Sequence, residues 1–115
     1  MRVINQGNDV VIAKQVRSAH TFFSRLKGLM FKKHFFHDDA LHITPCSQIH
    51  TYFMKFPIDV VYLNVDFKVV GIEQNLSPWK LGKKFKHVKS VIELPPGSVK
   101  KTGLNTGDTI YFKKN

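Results

Sequence analysis

The stretch from Cys46 to Asp59, CSQIHTYFMKFPID, brings a thiol, an imidazole, an ammonium and a carboxylate close together in the chain. A Cys–His pair can generate a thiolate nucleophile, and an acid can orient the imidazole. The spacing opposes that chemistry. On one extended strand Cys46 and His50 would lie roughly 13 Å apart at the usual rise per residue. A dyad would need Pro45-Cys46-Ser47 to turn back, so Cys46 reads as a buried structural thiol. His50 can instead act alone as an acid/base in a polar pocket, with Lys55 or Arg25 steadying developing negative charge and Asp59 beside them. The blander alternative for His50 is a half-buried ring bonded to the backbone. Asp59 opens an apolar strand and needs a partner if buried. Arg25 is the natural candidate, because a guanidinium holds a carboxylate through two bonds. An Arg25–Asp59 pair would make both residues structural.

A second concentration is Trp79 to Lys89, WKLGKKFKHVK, in a region with no Asp or Glu between Glu73 and Glu93. Trp79 and Phe85 can stack on bases or sugars while Lys80, Lys83, Lys84, Lys86 and Lys89 meet phosphates. The alternative is a solvated loop that the two rings pin to the core. The whole chain carries 18 Lys+Arg against 8 Asp+Glu, net +10, which attracts polyanions or serves solubility. Its only arginines are Arg2, Arg17 and Arg25. Fork-like recognition of bases is therefore scarce, and the attraction is nonspecific.

Metal chemistry is the third option, given six His. His34, His37, Asp38 and Asp39 form one donor set; His42, Cys46 and His50 recur every four residues. Neither has the CxxC or HExxH spacing of a zinc site, so no metal and no cofactor are expected. No glycine-rich phosphate cradle, serine elbow or paired-carboxylate motif is present.

The elements that must hold these residues read mostly as strands. Val3-Ile4 and Val10 to Ala13, around the turn-prone Gln6 to Asp9, predict an opening hairpin. Phe22, Leu26 and Leu29 share helical spacing, predicting a helix over 18–30 that Ser18 or Thr21 caps. Ala40 to Thr44, Ile49 to Met54, Ile58 to Val65, Val69 to Ile72, Val88 to Leu94 and Thr109 to Phe112 read as strands. The stretch 49–75 is a meander, and Leu76 to Lys89 is a surface loop. Ser98 to Thr102 predicts one helical turn. Gly107 permits the backbone of a tight turn and Asp108 can accept nearby amides, so both read as structural.

At 115 residues the chain fits one domain, 1–115, with enough length for a core of its own. A hydrophobic content of 43% argues against disorder, and a single Cys excludes an internal disulfide. No run approaches the roughly 20 apolar residues of a spanning helix, and no signal precedes the first strand. A cytoplasmic protein is expected. The architecture expected is mainly β, a β-rich α+β fold. It would be a compact, partly open β-barrel with one short helix in the N-terminal half and a helical turn before the last strand.

Four blocks carry a resemblance. Arg25 to Met30 (RLKGLM), His50 to Asp59 (HTYFMKFPID), Glu93 to Gly97 (ELPPG) and Gly103 to Asp108 (GLNTGD) appear in that order. Together they resemble the bacterial and archaeal family called domain of unknown function 192, over about residues 10–113. The resemblance implies a compact β-rich, barrel-like fold with short helices, and no activity. Some family members resemble exported proteins with a leader; export is not carried over here. The function expected is thus a noncatalytic module that binds an anionic ligand, polysaccharide or nucleic acid. The alternatives are a small hydrolase or transferase using His50, and a docking protein of a larger assembly. The sequence assigns no protein partner and no oligomeric state.

Overall fold

The run from Ile58 to Leu63, IDVVYL, has no polar alternation, and its position in the fold explains why: every one of its residues is buried. A strand of this kind must be covered on both faces. The structure, a computed structural model, describes residues 1–19 and 36–115. Among these the elements are β1 (Arg2–Asn5), β2 (Val11–Ala13), β3 (Gln15–Ala19), β4 (Asp39–Ile43), β5 (Ile58–Leu63), β6 (Val69–Leu76), β7 (Ser90–Leu94), α1 (Ser98–Thr102) and β8 (Ile110–Lys113). They form two sheets, a three-stranded one ordered β2-β1-β8 and a five-stranded one ordered β3-β4-β7-β5-β6. The β3–β4 pair is parallel, and the other pairs are antiparallel.

Strand alternation sorts the side chains of the five-stranded sheet into two cores. On one face Val61, Leu63, Ile92, Leu94 and Ala40 meet Val3, Ile12, Ala13 and Ile110 of the smaller sheet, with Val99 and Leu104 at and beyond α1. On the other face Ile58, Val60, Tyr62, Val91, Leu41 and Ile43 meet Cys46, Ile49 and Met54, flanked by Phe56, Phe85 and Val88. One cover is therefore a sheet. Much of the other is irregular chain, from Cys46 to Pro57 and from Ser77 to Lys89.

Asp59 lies within the first core's side of β5 and is wholly buried. Its carboxylate accepts the Asn75 N–H at 2.8 Å through Oδ1 and the Val99 N–H at 2.9 Å through Oδ2. The first donor belongs to a residue with φ of 54°, where the β5–β6 register shifts between Ile58 and Val60. The second is one of the amides that the start of a helix leaves without an intrahelical acceptor. One side chain thus ties an irregularity in the sheet to the start of α1.

The β-rich fold, the opening hairpin, the β5–β6 hairpin and the short helix before the last strand follow the sequence reading. The sheets do not close into a barrel: β1, β2 and β8 form a separate layer that packs on the larger sheet's face. Ser18 and Ala19 lie in β3 rather than starting a helix, and residues 20–30 of the expected 18–30 helix fall outside the described residues. Ile49 to Met54 is not a strand. It contributes a single bridge, His50 with Leu81, and then turns where Phe53 adopts a φ of 67°.

Asp59→Ala strands both N–H donors in the core. It is expected to lower stability by about 2–6 kcal/mol, from 1–3 for each buried unsatisfied group. The urea midpoint measures this. Asp59→Asn, which retains one carbonyl acceptor, should lose roughly half as much.

Candidate functional site

The irregular cover is stitched together at Thr51. Its hydroxyl donates to the Ser77 carbonyl at 2.6 Å and accepts the Lys80 N–H at 2.8 Å. Its backbone N–H donates to the Lys80 carbonyl, and its carbonyl accepts the Trp79 N–H at 2.9 Å. Farther along, Gly82 donates to the Ile49 carbonyl, and the Gln48 side chain donates to the Gly82 carbonyl. Two chain segments without a ladder of their own thereby satisfy each other's backbone groups, as buried polar groups must.

The loop lies flat because two glycines let it approach. A Cβ on Gly71 would come within 2.5 Å of the Phe85 ring, which packs on Tyr62 with centroids 4.7 Å apart. A Cβ on Gly82 would come within 2.7 Å of the Tyr62 hydroxyl. That hydroxyl donates to Glu73 Oε1 at 2.5 Å, and the same oxygen accepts the Lys83 N–H at 2.8 Å. Burial first, and then the Glu73 carboxylate, push the Tyr62 phenol above its ordinary range, so it stays a neutral donor. Glu73 is the last acid before the acid-free stretch, and these two bonds engage it.

The predicted ligand residues divide accordingly. Phe85 is the pin. Trp79 is not: it is 59% exposed, beside Phe53 at 58%, Leu81 at 59% and Tyr52 at 37%. Trp79 and Phe53 meet edge to face with centroids 4.7 Å apart, and Tyr52 lies 6.2 Å from Trp79. Both Trp79 and Phe53 hold left-handed backbones, at φ of 64° and 67°. That conformation costs a non-glycine residue about 1–3 kcal/mol. Lys80, Lys83, Lys84, Lys86 and Lys89 are all exposed. Lys80 and Lys83 also line a groove of about 350 Å3 running along Ile72 to Ser77 of β6 and the residue beyond it.

The predicted catalytic residues are less convergent. His50 is half-buried; its Nδ1 accepts the Tyr52 N–H at 3.3 Å, and its ring stacks on Tyr52 at 4.7 Å. His50 does not line the groove. Lys55 is exposed, and Asp59 is wholly buried with each oxygen accepting a backbone amide. Arg25, and with it the Arg25–Asp59 pair, lies outside the described residues. Cys46 is buried, with its thiol directed to the Gln48 carbonyl at 3.3 Å.

His34 is likewise outside the described residues. His37 contacts Asp38 at 3.1 Å on the surface. His42 lies against Phe112 of β8, in a different layer from Cys46. Among the described residues no three His, Cys, Asp or Glu side chains come together as a metal site. Gly107 has φ of 99°, and Asp108 accepts the Asn105 N–H and the Asn5 side chain, which closes the last turn onto β1.

Sequence reading missed Thr51, Tyr62 and Glu73 as organisers of this surface. The one signal available was Glu73's place at the border of the acid-free stretch.

Comparison with known proteins agrees with the fold. The family model DUF192, described as "Uncharacterized ACR", matches residues 2–112. A UPF0127 protein of Pyrococcus horikoshii is 31% identical over 115 residues, covering 96% of this chain and 97% of that protein. A UPF0127 protein of Pyrococcus furiosus is 28% identical over 116 residues, covering 96% of each. These relatives are archaeal and lend no support to a bacterial source. A crystal structure of a protein of unknown function from Novosphingobium aromaticivorans superposes with a TM-score of 0.82 at 20% identity, covering 96% of this chain and 82% of that one.

Thr51→Val keeps the shape but removes the hydroxyl from Ser77 and Lys80. It is expected to cost about 1–3 kcal/mol. Because Trp79 is the chain's single tryptophan, its steady-state fluorescence anisotropy should fall in the variant as the loop loosens.

Proposed function

The chain belongs to the DUF192 family, for which no activity is described, and from its geometry we propose a noncatalytic binding module for an anionic ligand, polysaccharide or nucleic acid. The ligand lies along the 79–89 loop. The observation that carries this reading is the way the loop is held. Phe85 and the backbone bonds to Ile49, Thr51 and Glu73 fix it against the sheet, while five lysines of that segment remain exposed. With the backbone already held, a chain of anions orders the lysine side chains on binding but not the loop that carries them. Of the two acids that flank the loop in sequence, Glu73 already accepts two hydrogen bonds and Glu93 is buried in β7.

The groove beside β6 supports the same reading, since Lys80 and Lys83 form part of its wall. An acid/base role for His50 draws no support from it. The exposed rings of Tyr52, Phe53 and Trp79 favour a second reading, a docking surface for another protein, because contiguous exposed apolar area marks interaction sites. Salt separates the two. Polyanion binding weakens steeply as salt rises, whereas an apolar protein contact does not.

Heparin and a single-stranded oligonucleotide, each titrated between about 50 and 200 mM salt, over which the Debye length roughly halves, test the first reading. Binding should fall with salt, and the triple variant Lys83→Glu, Lys84→Glu, Lys86→Glu should reduce the log–log salt slope by roughly 2 for the oligonucleotide. Binding indifferent to both salt and charge reversal would remove this reading.

A further inference from the structure

Among the described residues, six that are not glycine have left-handed backbones: Asp9, Phe53, Phe67, Asn75, Trp79 and His87. Asp and Asn adopt that conformation comparatively readily, but bulky aromatic residues do so only where their surroundings impose it. Phe53 and Trp79 come from separate loops that Thr51 joins, and they touch. Burial does not account for them, because each ring is more than half exposed. The fold holds two unfavourable backbones in place, and the result is a pair of rings turned toward solvent with Tyr52 alongside.

Resting on the anionic-ligand reading above, we infer that the ligand is single-stranded nucleic acid, bound without sequence preference, with unpaired bases stacking on Trp79, Phe53 and Tyr52 while the phosphodiester chain follows the lysines from Lys80 onward.

Three observations fit this polymer, the first of them better than it fits an acidic polysaccharide. First, the rings do not form one plane. Trp79 is inclined 34° to Tyr52 and 60° to Phe53. A single strand can rotate each base separately to meet a ring, and every base has a face to offer. A chain of sugars cannot reorient its units so freely. Second, the cations along the loop are all lysines. The guanidinium fork serves phosphate and carboxylate alike, so its absence from the loop argues against base-specific forks, while an ammonium is a point charge that takes phosphate oxygens from varied directions. The described arginines, Arg2 and Arg17, lie on β1 and β3 and not on this loop. Third, the platform and the lysine row are continuous: Trp79 begins the segment and Lys89, whose N–H donates to the Leu63 carbonyl, ends it at the far end of β5. That run crosses the sheet over roughly 20 Å, from the rise of a six-residue strand. It suits a segment of about four nucleotides or more, the lower end of site sizes for single small domains. Duplexes are disfavoured by the same geometry, since pairing and stacking hide the base faces.

The test uses the full chain and four probes of matched length: oligo-dT, an abasic oligomer with the same phosphates, a DNA duplex and heparin fragments. Trp79 fluorescence should be quenched by oligo-dT, and oligo-dT should bind more tightly than the abasic oligomer or the duplex. Replacing Phe53 by Ala, which leaves Trp79 as reporter, should weaken oligo-dT binding by roughly 5- to 150-fold, the range for loss of one stacked ring. It should leave heparin and the abasic oligomer nearly unaffected. Trp79→Ala, followed by the anisotropy of labelled oligo-dT, should behave alike. Both rings are exposed, and circular dichroism verifies that the variants fold.

Equal affinity for abasic and dT oligomers, or Ala variants that bind oligo-dT undiminished, would overturn the stacking inference while the anionic-ligand reading stands. Heparin binding more tightly than oligo-dT and quenching Trp79 would replace nucleic acid with polysaccharide. Binding of none of the probes at 50 mM salt (on the order of a 14 Å screening length) would overturn both.

Discussion

A sheet buried on both faces requires two covers, and the rest of this molecule follows from how the second cover is built. The first is conventional: β1, β2, β8 and α1 bring their own backbone pairing and lay apolar side chains on Val61, Leu63, Ile92 and Leu94. On the second face, the segments around Ile49 and Gly82 have almost no ladder. Their backbone groups pair with each other and with the Thr51 hydroxyl. That solution fixes the path of the chain closely, since each bond constrains both segments. It also leaves the outward side chains of the 79–89 segment free to be chosen for something other than packing.

The legible parts of the fold were those where local pattern and tertiary burial agree. Ile58 to Leu63 and Ser90 to Leu94 read as strands because fully covered strands are continuously apolar, and their buried polar members, Asp59 and Glu93, did not disguise the run. Gly103 and Gly107 announced turns through backbone angles that only glycine reaches cheaply. The 49–54 stretch misled for a physical reason. Its β-branched and aromatic residues suit a pleated surface, but Thr51 spends its polar groups on Ser77, Trp79 and Lys80. The chain therefore turns at Phe53 instead of continuing. Gln15 to Ala19 hid in the opposite way, as a half-exposed edge strand whose pairing with β4 is parallel and remote in sequence.

The candidate surface was half legible. Composition located the lysines, and the acid-free interval located their loop. The two aromatic residues in that loop look equivalent in sequence, yet Phe85 is a packing residue and Trp79 a surface one. What separates them is Gly71, distant in the chain, which opens a seat for one ring only. The resembling blocks divide along similar lines. Thr51 and Asp59 each hold chain segments together through backbone amides or carbonyls, and Asp108 joins the last turn to β1 through the Asn105 N–H and the Asn5 side chain. These three residues of the blocks thus serve the construction of the scaffold.

The seat at Gly71 also bears on how this surface can diverge. With the Phe85 ring occupying the space where a β-carbon would stand, the two positions constitute one steric unit. A lineage that enlarges residue 71 has to shrink residue 85 in compensation, and in doing so it releases the middle of the loop from the sheet. Covariation between these two sites, and loop length changing with it, is the evolutionary trace that such an arrangement leaves.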